Sequence, residues 1–420
     1  MRTIETKPVR PESTIVVPGS KSYTHRTLIA AALSNGPSRV IDPLRSEDTL
    51  LSLAALQQMG IQAQDYVRHI DINGMEGRFD ACDSPIEFQN SGTSMRLFGG
   101  LAALGSGDYI LTGSPRMRQR PMQPLLDSLN QIGVPARSQE NNGCPPVVIT
   151  GGCSKGGRTT IDCSVSSQYL SALLLIAPCL AQGLIIDVVK GPVSKPYIDM
   201  TVDIMSAFGI RLKQSGHTCF EVPGGQTYRA GKHQVEPDGS QAGYFWAAAA
   251  ITGTRVKVHG ITRASRQGDI GLTDVFAQMG CTVDDETDGI AVTGGSLTAV
   301  EVDMANMPDV VPTLAVTAAF ARGTTVIHNV AHLRAKECDR LAAVTCELGK
   351  MGIDAHATDN ELRIVGGTPN GADIDTYDDH RIAMSFAIAG LKTQGVRIAD
   401  PGCVTKSFPN YWDVFDQLYQ

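Results

Sequence analysis

The stretch DGSQAGYFWAAAAITGTRVKV, residues 238–258, decides the fold. A polar opener at Asp238 precedes a run of small and apolar residues with no polar stripe, which predicts a helix buried on most sides. Gly253 closes the run, and the β-branched segment after it predicts a strand. The same order recurs six times along the chain. Its openers are Ser20, Asn90, Ser166, Asp238, Asp309 and Asp379, spaced 70 to 76 residues apart; its closing glycines are Gly36, Gly107, Gly183, Gly253, Gly323 and Gly395. A period of that length is too long for a solenoid repeat and suits a βαβ-sized module.

Within the modules a second helix pattern also stops at a glycine: 50–59 at Gly60, 124–132 at Gly133, 198–208 at Gly209, 272–279 at Gly280 and 341–351 at Gly352. A polar strand follows, then a short apolar run ending on paired glycines, as in VVITGG (147–152), FEVPGG (220–225), IAVTGG (290–295) and LRIVGG (362–367). Each module therefore reads β-α-β-α-β-β, and three modules build each of two domains. The fold class is α/β (α+β), with sheets outside and helices inside each domain in the manner of an inside-out α/β barrel. The sixth module finishes on YWDVFDQLYQ without room for its last hairpin, so strands must come from elsewhere; TIVVPGS (14–20) is expected to supply one and close the chain on itself. A duplicated module of this kind also suits a scaffold with no active site.

Composition narrows the classes. With 420 residues, 42% apolar and 19% charged, the chain is long enough for two or three packed domains. A formal net charge of −7 argues against a nucleic-acid or polybasic membrane partner, so any anion site must be local. Apolar runs such as 172–177 and 247–251 fall far short of the roughly 20 residues a bilayer needs. The start MRTIETKPVRPEST lacks the apolar segment of a secretory signal, and the ten cysteines contain no C-x-x-C pair. Reduced thiols in a cytoplasmic protein are expected. Neither a phosphate-binding glycine loop nor metal-ligand spacing is present, so no metal and no cofactor are expected.

Cations at helix starts carry the chemistry. Lys21 and Arg26 follow Pro18-Gly19, Arg96 closes NSGTSMR, and Arg381 follows Asp379 and His380. Helix dipoles disfavour cations in the first turn, and an anionic ligand would relieve that cost. Arg116, Arg118 and Arg120 cluster in RMRQRP; Arg334, Lys336 and Arg340 cluster around Glu337 and Asp339; Lys406 lies near the end. Lys336 and Arg340, read as an i,i+4 pair of like charge on a helix, call for something negative between them. Asp309 reads equally as a helix cap or as a proton carrier, whereas Glu337 sits amid cations. These residues suit an enzyme without cofactor acting on anionic substrates.

Nine motifs in order, PGSKSYTHR, NSGTSMR, RMRQRP, SVSSQYLSALL, GPVSKPYIDMT, MPDVVPTLAV, LRAKECDRL, YDDHRIAMS and DPGCVTKSFPNYW, resemble the EPSP synthase (3-phosphoshikimate 1-carboxyvinyltransferase) family from about residue 14 onward. The resemblance implies two domains of threefold βαβαββ symmetry closing over the active site. They would hold residues 21–234 and residues 1–20 with 235–420, with crossovers near 18–22 and 232–238. It implies transfer of the enolpyruvyl group of phosphoenolpyruvate to the 5-hydroxyl of shikimate 3-phosphate, with release of phosphate, through a tetrahedral ketal. Asp309 would be the base and Glu337 the proton donor, with Lys21 sharing the proton work. Phosphoenolpyruvate would be held by Lys21, Gly92, Arg120, Gln168, Arg340, Arg381 and Lys406. Shikimate 3-phosphate would be held by Lys21, Ser22, Arg26, Ser166, Ser167, Gln168, Ser194, Tyr197, Asp309, His332 and Lys336. The protein would act as a monomer on small anions, with no nucleic-acid or membrane partner.

Two positions depart from the family pattern. His332 stands where many members have asparagine, and Leu97 follows NSGTSMR where many have proline, which implies an altered response to glyphosate, an inhibitor of the phosphoenolpyruvate site. Two other readings compete. A UDP-N-acetylglucosamine enolpyruvyl transferase would carry a loop cysteine that RMRQRP lacks, and a scaffold would not need both Asp309 and Glu337 beside a ring of cations.

Overall fold

The five glycines predicted to end second helices all take φ between 76° and 103° in the computed structural model, which describes residues 1–420. That left-handed conformation disfavours any Cβ, so the sequence signal and the backbone have one cause. Gly253, with φ 77°, is likewise a helix cap. Gly36, Gly107, Gly183, Gly323 and Gly395 are not caps, because the helices before them end at Ala32, Leu101, Ile176, Ala318 and Ala389 and the chain turns before it reaches each glycine.

The chain divides into two units, Gly19–Val235 and Met1–Pro18 with Glu236–Gln420. In the first, helices α1 (Lys21–Ala32), α2 (Glu47–Gln58), α3 (Gly92–Leu101), α4 (Gln123–Gln131), α5 (Gln168–Ile176) and α6 (Pro196–Ala207) alternate with strands. α1, α3 and α5 are buried nearly all round, and small residues let them approach closely. A Cβ on Gly100 of α3 would sit 2.8 Å from the Ala172 carbonyl oxygen of α5. Leu97 is fully enclosed in α3.

Three four-stranded sheets complete this unit. In each, a leading strand runs parallel to the strand after the first helix, and the last hairpin adds antiparallel strands. Gly157–Asp162 thus pairs in parallel with Leu184–Lys190, which pairs antiparallel with Cys219–Val222. The leading strand of the first sheet is Lys232–Gln234, from the far end of the unit, beside Pro37–Ile41. Strand burial alternates residue by residue, as in Pro37–Ile41, so one sheet face meets the helices.

The second unit repeats this plan with β1 (Arg2–Thr3), β2 (Glu12–Ile15), α7 (Gly239–Thr252), α8 (Leu272–Gln278), α9 (Val311–Ala318), α10 (Arg340–Lys350), α11 (His380–Ala389) and α12 (Tyr411–Phe415). Here the expected assignment of the N-terminal strand is corrected. β2 runs parallel to Arg255–His259 and completes the sheet next to α7, directing Ser13 and Ile15 into the core. The sixth module receives β1 instead, antiparallel to Arg397–Ile398, in a three-stranded sheet with Asp373–Ile374. Two residues are too few to show a period of two, so β1 left no mark in the sequence. No helix is long and apolar enough to cross a membrane, and all ten cysteines are free.

Of the six openers, Ser20, Asp238 and Asp379 cap α1, α7 and α11 with their side chains. Asn90 and Ser166 stand one residue ahead of the caps Ser91 and Ser167. Asp309 lies in the 3-10 turn Pro308–Val310 ahead of α9, whose cap position is Val310.

Candidate active site

Helix starts arrange the cations of the first unit. Lys21 is the first residue of α1, and its Nζ lies 3.0 Å from the Asp48 carboxylate of α2, both nearly buried. Ser22 contributes its carbonyl, which accepts from Arg26 Nη1 at 2.9 Å. The rest of the Arg26 guanidinium donates to Thr201 Oγ1 at 2.7 Å, the Tyr197 carbonyl at 3.1 Å and Ser171 Oγ at 3.3 Å. Full burial lowers its pKa to about 10, with Tyr197 and Tyr23 opposing. Arg26 therefore ties α1 to α5 and α6.

The starts of α3 and α5 are bound together. Gln168 Nε2 donates to Thr93 Oγ1 at 2.9 Å, and Gln168 Oε1 accepts from Arg96 Nη1 at 2.8 Å. Arg120 donates to the Asn90 carbonyl at 2.9 Å and lies against Gly92, where a Cβ would come within 2.5 Å of its Nη2. Ser166 Oγ accepts from the Gln168 amide at 3.2 Å, and Ser167 is buried at the α5 cap. Ser194 adopts φ 56° ahead of α6 and accepts from the Tyr197 amide at 3.1 Å.

In the second unit Arg340 is the centre. Its Nη1 donates to Asp309 Oδ1 at 3.0 Å, its Nη2 to Glu337 Oε2 at 2.8 Å and its Nε to Asp379 Oδ2 at 2.7 Å. Burial lowers the guanidinium pKa, but the three carboxylates outweigh it and hold the value well above the ordinary one. Asp309 Oδ2 accepts from Arg381 Nη2 at 2.8 Å, and Lys336 Nζ stands 3.7 Å from Asp309 Oδ1. Asp309 is thus a carboxylate among three cations and does not cap α9. Something negative does lie between Lys336 and Arg340, yet the helical i,i+4 spacing is corrected: α10 begins at Arg340, capped by Asp339, and Lys336 precedes it in extended backbone.

Neighbouring groups tune this network. Asp379 caps α11 by accepting from the Arg381 amide at 2.9 Å. The Tyr244 hydroxyl accepts from Arg381 Nη1 at 3.4 Å. Burial pushes Asp269 up to about 6, helped by Asp309 and opposed by Arg381, and Ser240 Oγ donates to its carboxylate. Lys406 is buried at the end of the 3-10 segment Pro401–Lys406, where its charge opposes the rise that burial imposes on Asp378. Asp48, Asp379 and Asp269 are the partners that sequence reasoning missed as site residues. Each sits in an ordinary helix-start context, and only Asp379, inside DDHR, carried a visible signal.

His332 is buried beside Lys336, and its Nε2 has no hydrogen-bond partner. Burial, reinforced by Lys336 and Arg340 and opposed by Asp309, lowers its pKa to about 3. The native state thus holds it neutral while the unfolded chain protonates it near 6.5, so its contribution to stability is complete above pH 6.5 and is lost as pH falls toward 3. His332→Asn is expected to lose less melting temperature than the parent between pH 7 and pH 4.5. Equal losses in a differential scanning experiment contradict the assignment.

Comparison with known proteins places the chain in a family. The profile of the EPSP synthase (3-phosphoshikimate 1-carboxyvinyltransferase) family matches residues 6–415. A 3-phosphoshikimate 1-carboxyvinyltransferase of Syntrophobacter fumaroxidans is 43% identical over 405 residues, covering 96% of each chain. One from a Sulfurovum species is 42% identical over 426 residues, covering 100% of this chain and 99% of its own. The solved EPSP synthase of Acinetobacter baumannii superposes with a TM-score of 0.82 at 30% identity, over 99% of this chain and 97% of its own. With the family profile matched over residues 6–415, relatives above 40% identity and a mixed α/β fold shared across nearly the whole length, the chain belongs to the EPSP synthase family of 3-phosphoshikimate 1-carboxyvinyltransferases.

Proposed function

We propose that this enzyme joins phosphoenolpyruvate to shikimate 3-phosphate by addition and elimination, using Glu337 as proton donor and Asp309 as base, with Lys21 sharing the proton work. Protonation of the methylene carbon of phosphoenolpyruvate leaves its neighbour electron-poor. The 5-hydroxyl of shikimate 3-phosphate adds there and loses its proton to the base. Loss of phosphate from the resulting ketal, with return of a methyl proton, restores the vinyl group. Such a reaction needs an acid and a base held close but not in contact. The supporting observation is that Asp309 and Glu337 accept from the two Nη atoms of one buried guanidinium.

On this reading Lys21, Gly92, Arg120, Gln168, Arg340, Arg381 and Lys406 hold phosphoenolpyruvate, whose phosphate and carboxylate suit guanidinium forks. Lys21, Ser22, Arg26, Ser166, Ser167, Gln168, Ser194, Tyr197, Asp309, His332 and Lys336 hold shikimate 3-phosphate. The two units correspond to the family's two three-module domains, each an inside-out α/β barrel. The enzyme acts as a cytoplasmic monomer on small anions and has no nucleic-acid or membrane partner, in keeping with its net charge of −7.

Purified protein is expected to release phosphate from the two substrates together and not from phosphoenolpyruvate with UDP-N-acetylglucosamine. Release only with the nucleotide sugar, or with neither acceptor, overturns the reading. Gly92→Ala is a sharper probe, because the new Cβ displaces Arg120 Nη2 and comes within 2.8 Å of Arg96 Nη1. These are ends of flexible side chains, so the fold should survive. KM for phosphoenolpyruvate is expected to rise about tenfold or more through the displaced charge-assisted contact, with little change in melting temperature. An unchanged KM contradicts the placement of Arg120.

A further inference from the structure

Helix α10 carries a second buried charge that the mechanism leaves unused. Glu347 lies two turns after Arg340 on the same helix face and is fully enclosed. A buried carboxylate is costly unless its bonds are well made. Its partners converge on one short segment. Glu347 Oε2 accepts from the Asp375 amide at 3.0 Å and from Lys350 Nζ at 2.9 Å, and Oε1 accepts from the Tyr377 hydroxyl at 2.6 Å. Lys350 Nζ also reaches the Asp375 carboxylate at 2.7 Å.

That segment is strained. Tyr377 and Asp378 take φ 55° and 54°, two successive non-glycine residues in the left-handed region. Such conformations persist only where surrounding bonds over-determine them. The next residue is Asp379, which binds Arg340 and caps the helix that begins with His380 and Arg381. α10 therefore grips the segment at both ends, through Glu347 at residues 375 and 377 and through Arg340 at residue 379. Tyr377 is 41% exposed, so its hydroxyl bond matters more than its packing. Burial and that bond push the phenol pKa up, which keeps the hydroxyl a donor.

We propose that Glu347 is a positioning residue for phosphoenolpyruvate binding: through Asp375 and Tyr377 it fixes the left-handed turn that aims Asp379 and Arg381. The inference rests on the reading of Arg381 as a phosphoenolpyruvate ligand. The test compares Tyr377→Phe, Glu347→Gln and Arg381→Lys by KM for each substrate and by melting temperature. Tyr377→Phe, which removes one oxygen from a half-exposed ring, is expected to raise KM for phosphoenolpyruvate about threefold to tenfold. Its KM for shikimate 3-phosphate and its melting temperature should stay near the parent values. Glu347→Gln should raise the first KM further, and adding Tyr377→Phe to it should change little more, because both act through one bond. If Glu347→Gln does not fold, Tyr377→Phe alone decides. Arg381→Lys raising KM for phosphoenolpyruvate while the other two leave it unchanged overturns the inference and preserves the reading of Arg381. A parallel rise of both KM values with a lower melting temperature also overturns it. No effect in any of the three overturns the reading of Arg381 itself.

Discussion

Asp309→Asn and Glu337→Gln are each expected to lower kcat by about 10²–10⁴-fold, the range a positioned proton carrier contributes, while both KM values move far less. Asparagine keeps the shape of Asp309 and can still accept from one guanidinium. Its amide nitrogen must then face a cation, since Arg340 and Arg381 approach the two carboxylate oxygens separately at 3.0 and 2.8 Å. Some loss of substrate affinity is therefore expected as well, but smaller than the loss of turnover. Glu337→Gln keeps the shape of the side chain, and the amide can turn its oxygen to the Arg340 Nη2 that Oε2 binds. Steady-state rates with both substrates varied separate the two effects. Wild-type kcat in either variant removes that residue from the proton chemistry.

Asp379→Ala is expected to destabilise the protein by about 3–5 kcal/mol, the usual cost of stripping a partner from a buried charge, with a further share from the lost helix cap. Both Asp379 and the Arg340 guanidinium are essentially excluded from water. The Arg39–Asp71 pair, of similar length but with side chains 43% and 35% exposed, provides the contrast. Asp71→Ala should cost no more than about 1 kcal/mol. Burial raises the Asp379 pKa, but Arg340 outweighs it and the carboxyl stays below its ordinary 3.8. Its stabilisation is thus complete above pH 3.8 and is lost only as pH falls below that value. Urea titrations of both variants near pH 7, repeated near pH 3, check the ranking and the sign. Equal losses for Asp379→Ala and Asp71→Ala contradict the buried-charge account.

What the sequence disclosed follows from the range of the forces involved. Gly60, Gly133, Gly209, Gly280 and Gly352 were legible because a left-handed helix end is a local demand that one residue type meets. The paired strands at VVITGG and LRIVGG were legible for a similar reason, since apolar runs and turns are written in consecutive residues. β1 was not, because its pairing with Arg397–Ile398 joins positions almost the whole chain apart. Lys21 and Arg381 stood out because positive charge in the first turn of a helix is locally unfavourable, whereas Arg26 and Arg96 lie one turn further in. Their acidic partners did not stand out. Asp48 looks like any acidic residue in a first turn, and only the fold brings it to Lys21. The ambiguity of Asp309 was of the same kind: a cap and a proton carrier read alike until Arg340 and Arg381 are seen around it.

The sheets built on β1 and β2 also set an order of events during synthesis. Residues 19–235 contain every strand of their own three sheets and can finish folding as soon as they leave the ribosome. Residues 2–3 emerge before residues 19–235, yet their partners at 397–398 emerge after all of them. At about 5–20 residues per second, that wait is roughly 20–80 s. During it residues 2–3 have to remain without their sheet while all of residues 19–235 are made, so this strand waits longer for its partners than any other in the chain.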